Sequence, residues 1–323
     1  MRTVWTMGFV AAAALSFCFP DFIVFRFTQA TIWAIALVGL VLLSGLAGQF
    51  SFAQGALFGV GAYAAALAGG PASPSPYLGL PLAGLAGFAG GWGLGRVTGR
   101  HSLWTQALVT YAGVIAFPQL LRWPPIARWT GGVQGLYLDF PPTPFELSND
   151  RWAFLLALGL LAGGLALATN VAASRSGRAV AAARDNELAA AAHGVDVAAV
   201  RAAVWGLAGA YAAVAGCLSA WQFGFVGPTA YNFNLSVQML FGVVIGGMQS
   251  LAGAVIGGLF LQFFPDLTAG LGKGLSALLY AGLLIAAIVA MPRGVAGTLT
   301  GLALNPPWRR TGAPTRPTWR TRS

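Results

Sequence analysis

Apolar stretches long enough to cross a bilayer follow one another along most of this chain, with only short polar gaps between them. A helix needs about 20 predominantly apolar residues to traverse roughly 30 Å of hydrocarbon. Candidate spans fall at Val4–Phe19, Phe22–Leu46, Phe52–Gly69, Leu78–Val97, Leu103–Leu121, Trp152–Thr169, Ala202–Gln222 and Leu271–Met291. A further apolar stretch, Ser236–Phe264, is too long for one comfortable span and is broken near Gly246-Gly247-Met248-Gln249-Ser250, so it reads as a hairpin, either re-entrant or two full spans. Only 8% of the residues are charged, against roughly a quarter in soluble domains, which excludes an ordinary soluble fold. The expectation is an all-α, polytopic integral membrane protein with about 8–10 transmembrane helices. Residues 1–305 form its membrane domain and 306–323 a basic tail.

Charge orients these spans. With a cytoplasmic amino terminus, 13 of the 18 basic residues fall on inner segments: Arg2, Arg96, Arg100, Arg175, Arg178, Arg184, Arg201, Arg293, Arg309, Arg310, Arg316, Arg320 and Arg322. The outer segments keep Arg26, Arg122, Arg128, Arg151 and Lys273, balanced by Asp21, Asp139, Glu146, Asp150 and Asp266. The positive-inside rule favours this arrangement, and it closes only if Ser236–Phe264 enters from the outside and returns there. Both termini are then cytoplasmic. The isoelectric point near 10.6 thus reports orientation, not affinity for nucleic acid, and the Arg-rich tail is expected to rest on anionic lipid. No small-x-small cleavage site follows Met1–Phe19, so it reads as a retained first helix. Cys18 and Cys217 fall inside spans and read as small packing residues.

The inventory for chemistry is nearly empty. His101 and His193 have no second ligand at metal spacing, no phosphate-binding loop is present, and no cofactor is expected. No acidic residue lies in the middle of a span, which argues against coupling to protons or sodium through a buried carboxylate. A secondary transporter would need such a site, and a membrane enzyme a buried nucleophile or metal constellation. If this chain moves solute uphill, the energy comes from another chain.

Six of the 26 charged residues gather in one interruption between spans: Arg175, Arg178, Arg184, Asp185, Glu187 and Asp196. Two short helices can be read there, Gly177 to Arg184, and a second opened by Asp185 or Asn186 as N-cap and closed by Gly194 at C′. A cytoplasmic helix of this kind suits a membrane subunit that receives force from a soluble partner. The other reading is an amphipathic helix lying on lipid headgroups.

Glycines recur at four-residue spacing: Gly55/Gly59, then Gly87, Gly91, Gly95 and Gly99, Gly242/Gly246 and Gly253/Gly257. Small residues on one helix face let backbones approach closely, so most of these read as packing. Polar side chains accompany two glycine clusters, Gln49, Ser51 and Gln54 in one and Gln238 in the other. In hydrocarbon such groups find interhelical partners or line a wet path, and both readings stand.

Five elements together resemble a known family. Gly45-Leu-Ala-Gly-Gln-Phe-Ser-Phe-Ala-Gln-Gly-Ala-Leu-Phe-Gly-Val-Gly-Ala-Tyr63 looks like the early signature of branched-chain amino-acid ABC-transporter permeases of the LivM type. Thr130-Gly-Gly-Val-Gln-Gly-Leu136 resembles that family's outer-loop element, and Ser176-Gly-Arg-Ala through Gly194 its cytoplasmic coupling loop. Val244-Ile-Gly-Gly-Met-Gln-Ser-Leu-Ala-Gly253 and Met291-Pro-Arg-Gly294 are similar to its late elements. Gln249 stands where the family commonly has Gly and Ala254 where it has Pro, which predicts a less tightly bent hairpin; the Glu187 to Gly194 separation also departs from the strict pattern.

The resemblance implies an importer made of this chain, a second permease subunit, two ATP-binding cassette subunits and an extracytoplasmic solute-binding protein. It implies branched-chain or other hydrophobic amino acids as substrate, with urea or short amides as the alternative. Arg184, Asp185, Glu187 and Gly194 in the loop 170–201 would couple to an ATPase subunit, with Arg178 anchoring the preceding helix. Gln49, Ser51, Gln54 and Gln238 would line the path at the interface with the partner permease. Arg128 and Glu146, in the long outer loop 122–151, would dock the binding protein, part of that loop's aromatic content serving as an interfacial belt.

Overall fold

Polar residues open most helices of this protein, because the first N–H groups of a helix lack intrahelical acceptors and a short oxygen-bearing side chain supplies one. The computed structural model describes residues 19–69, 75–99, 101–143, 147–268 and 294–297, with 13, 17 and 282. The expected first and last spans fall almost wholly outside these residues, as does the basic tail. Helix α1 (Asp21–Val41) runs on into a π-turn at Leu42–Leu46. After an unwound stretch come α2 (Gln54–Ala68), α3 (Gly79–Thr98), α4 (Leu103–Arg122) and the short α5 (Pro124–Thr130). Ser148 caps α6 (Asn149–Ala173), Ser174 caps α7 (Arg175–Asp185) and Asn186 caps α8 (Glu187–Ala192). Asp196 caps α9 (Val197–Phe223), and Asn232 caps α10 (Phe233–Gly246), which turns into α11 (Leu251–Thr268).

The architecture is all-α. Among the described residues the strands amount to β1 (Leu136–Tyr137) and β2 (Phe225–Val226), an antiparallel pair that pins the outer loop to the end of α9. Among the described residues four helices are long and apolar enough to cross a membrane: Asp21–Leu46, Pro76–Thr98, Asn149–Ala173 and Val197–Phe223. Gln54–Ala68, Phe233–Gly246 and Leu251–Leu267 are shorter and also apolar.

α9 is the central post. It packs against α3, α2 and α1, while α1 is flanked in addition by α11 and α6. Glycine makes these approaches possible. A Cβ on Gly91 would collide with the Trp205 carbonyl and one on Gly209 with the Gly87 carbonyl, so α3 and α9 touch backbone to backbone; α2 and α9 do the same at Gly61 and Gly216. The four-residue glycine spacing of α3 is therefore a packing stripe.

The Ser236–Phe264 stretch is a closed hairpin. Gly246 and Gly253 lie so near that a Cβ on either meets the other's carbonyl, and Ser250 N–H donates to Gly247 at 3.1 Å. Gly247 takes φ 116°, which its lack of a side chain permits. The less tightly bent turn expected from Gln249 and Ala254 is not found, because Gln249 projects outward and buried Ala254 fits between the arms. The turn reaches Gly45, which abuts the Met248 carbonyl, and α11 returns to place Asp266 against Arg26 at the start of α1. Between those two levels α1 rises about 29 Å at 1.5 Å per residue; the returning arm α11 covers that depth, whereas α10, with 14 residues, rises only about 21 Å.

The charges sort to two ends. At one, Asp21 pairs with Arg151 at 3.3 Å, Arg26 pairs with Asp266, and Trp152 Nε1 donates to the Tyr77 hydroxyl at 2.9 Å. At the other lie Gly45, Gly99, Arg184, Glu187 and Arg201. These groups share ends as the outer and inner segments of the sequence did.

Candidate functional site

At the second of these ends α7 and α8 form a small clamped unit. Ala183, Ala190 and Val197 make a core of their own beneath it, with Val195 and Val200 against them. The Asn186 side chain accepts from Ala189 N–H at 3.0 Å to start α8, and Gly194 ends it at φ 82° with nothing within 4 Å, the C′ role its position suggests. Arg178 Nη1 donates at 3.0 Å to Ala173, one of the carbonyls left free at the end of α6. Asp185 is exposed at the end of α7.

Two arginines fasten the unit to the spans. Arg184 Nη1 donates to the Gly45 carbonyl in the π-turn of α1, and its stem lies on Gly48. Arg201 bridges Glu187 at 3.0 Å and the Gly99 carbonyl at 2.8 Å, so α8 is tied to the C-terminal end of α3 through α9. The sequence marked Arg184 and Glu187 but not Arg201, whose partners lie on two other elements. It also passed over Leu188, the one large apolar residue in the alanine run of α8, which is 84% exposed. That lone leucine beside charges was a legible signal.

The unwound stretch between the π-turn and α2 carries Gln49, Ser51 and Gln54, all fully or almost fully buried. Gln49 Oε1 accepts from Trp205 Nε1, Gln54 Nε2 donates to the Ala208 carbonyl at 3.2 Å, and Ser51 Oγ accepts from Ala53 N–H at 3.1 Å. These three face the chain's own core and bind α9 or their own turn. Of the four residues expected on a path, Gln238 alone is exposed. Gly242, one turn further along α10, lies against Leu37 of α1, which puts Gln238 between the two charged ends of the bundle. Asn234 and Tyr111 are exposed nearby, and the Tyr111 ring meets Phe233 at 4.9 Å. Exposed amides at that depth cannot face lipid cheaply.

The outer loop is built on α5 and on the β1–β2 pair. The Thr130 hydroxyl donates to Leu121 at 2.7 Å and Tyr77 donates to Pro142 at 2.7 Å, leaving Trp123, Trp129 and Tyr137 on the surface. Arg128 is exposed on α5, and Glu146 lies outside the described residues. Among the described residues no group of His, Cys, Asp or Glu could hold a metal ion.

A family model described as branched-chain amino acid transport system, permease component, matches residues 22–289. The high-affinity branched-chain amino acid transport system permease protein LivM of Salmonella typhimurium is 28% identical over 298 residues, covering 83% of this chain and 68% of that protein. LivH of Escherichia coli, named as a permease of the same kind of system, is 25% identical over 291 residues, covering 84% and 92%. BraD of Pseudomonas aeruginosa is 24% identical over 291 residues, covering 84% and 93%. No solved structure matches the chain.

Proposed function

Because this chain belongs to the family of branched-chain amino acid transport permease components, we propose that it is the membrane-spanning subunit of an ABC importer for branched-chain or other hydrophobic amino acids. It has no ATPase site of its own. A second permease subunit completes the path, two ATP-binding cassette subunits drive it from the cytoplasmic side, and a solute-binding protein delivers substrate from the other. The end bearing Arg184 and Arg201 is cytoplasmic.

The observation that carries this reading is the clamped α7–α8 unit. A helix that merely rests on lipid needs no anchor. Here Arg184 and Arg201 bind it to the inner ends of α1, α3 and α9, while Leu188 is left free on the opposite face. Such a unit can be pushed from outside and move the spans with it. In this scheme Leu188, Asp185 and Glu187 meet the ATPase, and Arg178, Arg184 and Gly194 keep the unit in shape. Gln238, Asn234 and Tyr111 face the partner permease and the path, where weak polar contacts replace part of the solute's hydration without trapping it.

Leu188→Glu tests the docking. Leu188 is largely exposed, so the chain should fold and insert normally. Losing a central apolar anchor costs about 2 kcal/mol, roughly thirtyfold in affinity, and co-purification of the ATPase subunits with the permease should fall accordingly. Undiminished co-purification would return α8 to the lipid surface.

Orientation is checked separately. In a variant lacking Cys18 and Cys217, a cysteine at Ser75 should react with an impermeant thiol reagent added to intact cells, and one at Ser176 should not. Equal labelling of both would sink the assignment of ends.

A further inference from the structure

At the outer end of α4 a cation stands without a counter-charge among the described residues. Arg122 lies half-buried in the last turn of that helix, its Nε enclosed and without an acceptor. Arg26 and Arg151, at the same end, are each paired with an aspartate, whereas Arg122 is paired with no acid among the described residues. The α4 dipole favours a positive charge at this position but supplies nothing to the guanidinium edge. A partly buried cation left in this state is costly.

The Tyr63 hydroxyl, on a side chain 4% exposed, is equally without a partner. It sits at the same level of the bundle as that cation. α2 and α4 both run toward the outer end, and Gly59 of α2 meets Phe117 of α4 and the Tyr231 ring. One turn further out on each helix come Tyr63 and Leu121-Arg122. Tyr231 stands edge-on to Tyr63 at 6.1 Å and forms one wall. The roof is loosely held, since the buried residues of α4 are Gln106, Thr110, Val114 and Leu121 alone. A small outward movement of that helix would make room for a small anion between guanidinium and phenol.

We propose that Arg122 and Tyr63 form a carboxylate-binding station at the outer mouth of the path, which takes the α-carboxylate of an amino acid as it leaves the binding protein. The guanidinium pairs with both carboxylate oxygens, and the Tyr63 hydroxyl donates to one of them. Two donors and no buried acid make a weak, transit-type site. The proposal rests on the transport reading for its solute, but its direct test does not depend on transport.

In the assembled complex in phosphatidylcholine vesicles, phenylglyoxal modification of Arg122 is followed by peptide mass spectrometry. Leucine at millimolar concentration should slow it severalfold, and leucinamide, which lacks the carboxylate, should not. Equal modification with and without leucine overturns the proposal. So does protection that tracks added phosphatidylglycerol instead of solute, which would assign Arg122 to a lipid headgroup. Protection present without solute and relieved by Glu146→Gln would assign it to an ion pair and also overturn the proposal. In uptake assays Arg122→Gln should lower solute moved per ATP about tenfold, as expected for loss of a charge-assisted contact. Arg122→Lys and Tyr63→Phe should lower it about threefold, since one keeps the charge without the fork and the other removes a single donor. ATPase stimulation by loaded binding protein should stay within twofold of the unsubstituted complex; its loss in parallel with uptake would make Arg122 a docking or folding residue and overturn the station. Leucine protection in a complex that takes up no leucine would uphold the station while removing the proposed transport substrate.

Discussion

Replacing Arg184 by alanine is expected to lower solute moved per ATP hydrolysed about tenfold while the ATPase subunits remain bound. A hydrogen bond from a charged donor contributes about 1.5–3 kcal/mol, and this one joins the α7–α8 unit to the spans. Its acceptor is the Gly45 carbonyl in the π-turn of α1, its stem lies on Gly48, and Gly45 also touches the carbonyl of Met248 at the hairpin turn. One side chain therefore holds the loop against the end of α1, the unwound stretch before α2 and the tip of α10–α11. Gln49 and Gln54 carry any shift of that stretch directly to α9. Without Arg184, α8 stays tethered through Glu187 and Arg201, so docking survives and transmission is lost. Arg184→Lys should recover only part of the coupling, because an ammonium lacks the planar fork and the apolar contact along its stem differs. Reconstituted vesicles in which uptake and ATP hydrolysis are measured together would decide it. A normal uptake-to-ATP ratio in Arg184→Ala would mean that motion reaches the spans by another route.

The second large effect is structural. Gly61→Val and Gly216→Val should each reduce the yield of folded, monodisperse protein in detergent severalfold. At Gly61 a Cβ would enter the backbone of Ala213, and at Gly216 that of Phe58. Overpacking costs about 1–3 kcal/mol where neighbours can shift. Here the obstacle is main chain in a helix held on several sides, so α2 and α9 must separate along their length. The same change at Gly159 or Gly163 of α6 meets nothing within 4 Å and should leave the yield unchanged. Size-exclusion profiles of the four variants would test this, and four indistinguishable profiles would show that the α2–α9 contact is dispensable.

Both results depend on features that differ in how far they can be read from the chain. The glycine spacing of α3 announced a close approach, since a strip of small residues on a membrane helix serves little else. It did not say that α9 was the partner, because Gly206 and Gly209 of that helix lie at a different spacing from the same strip. The capping roles of Asn186 and Gly194 were legible for the same local reason: they act within a turn of their own position. Gln49, Ser51 and Gln54 were polar in a hydrocarbon setting and so had to be satisfied, but a path and a buried interhelical bond meet that need equally. The positions of Trp205 and Ala208 give Gln49 and Gln54 interhelical bonds, while Ser51 bonds within its own turn.

The sequence alone determined that the chain is a bundle of membrane helices, which segments share an end, and where the polar loop and hairpin interrupt the spans. Bilayer thickness, backbone hydrogen bonding and charge asymmetry act over one helix or one loop at a time, and each leaves a local pattern. Tertiary structure alone decided that Arg184 reaches the carbonyl of Gly45 and that Arg201 ties Glu187 to Gly99. The acceptors of Arg184 and Arg201 are backbone carbonyls 139 and 102 residues away in the chain. A carbonyl has no residue identity, so nothing in the sequence distinguishes it until the packing of the spans brings it within reach.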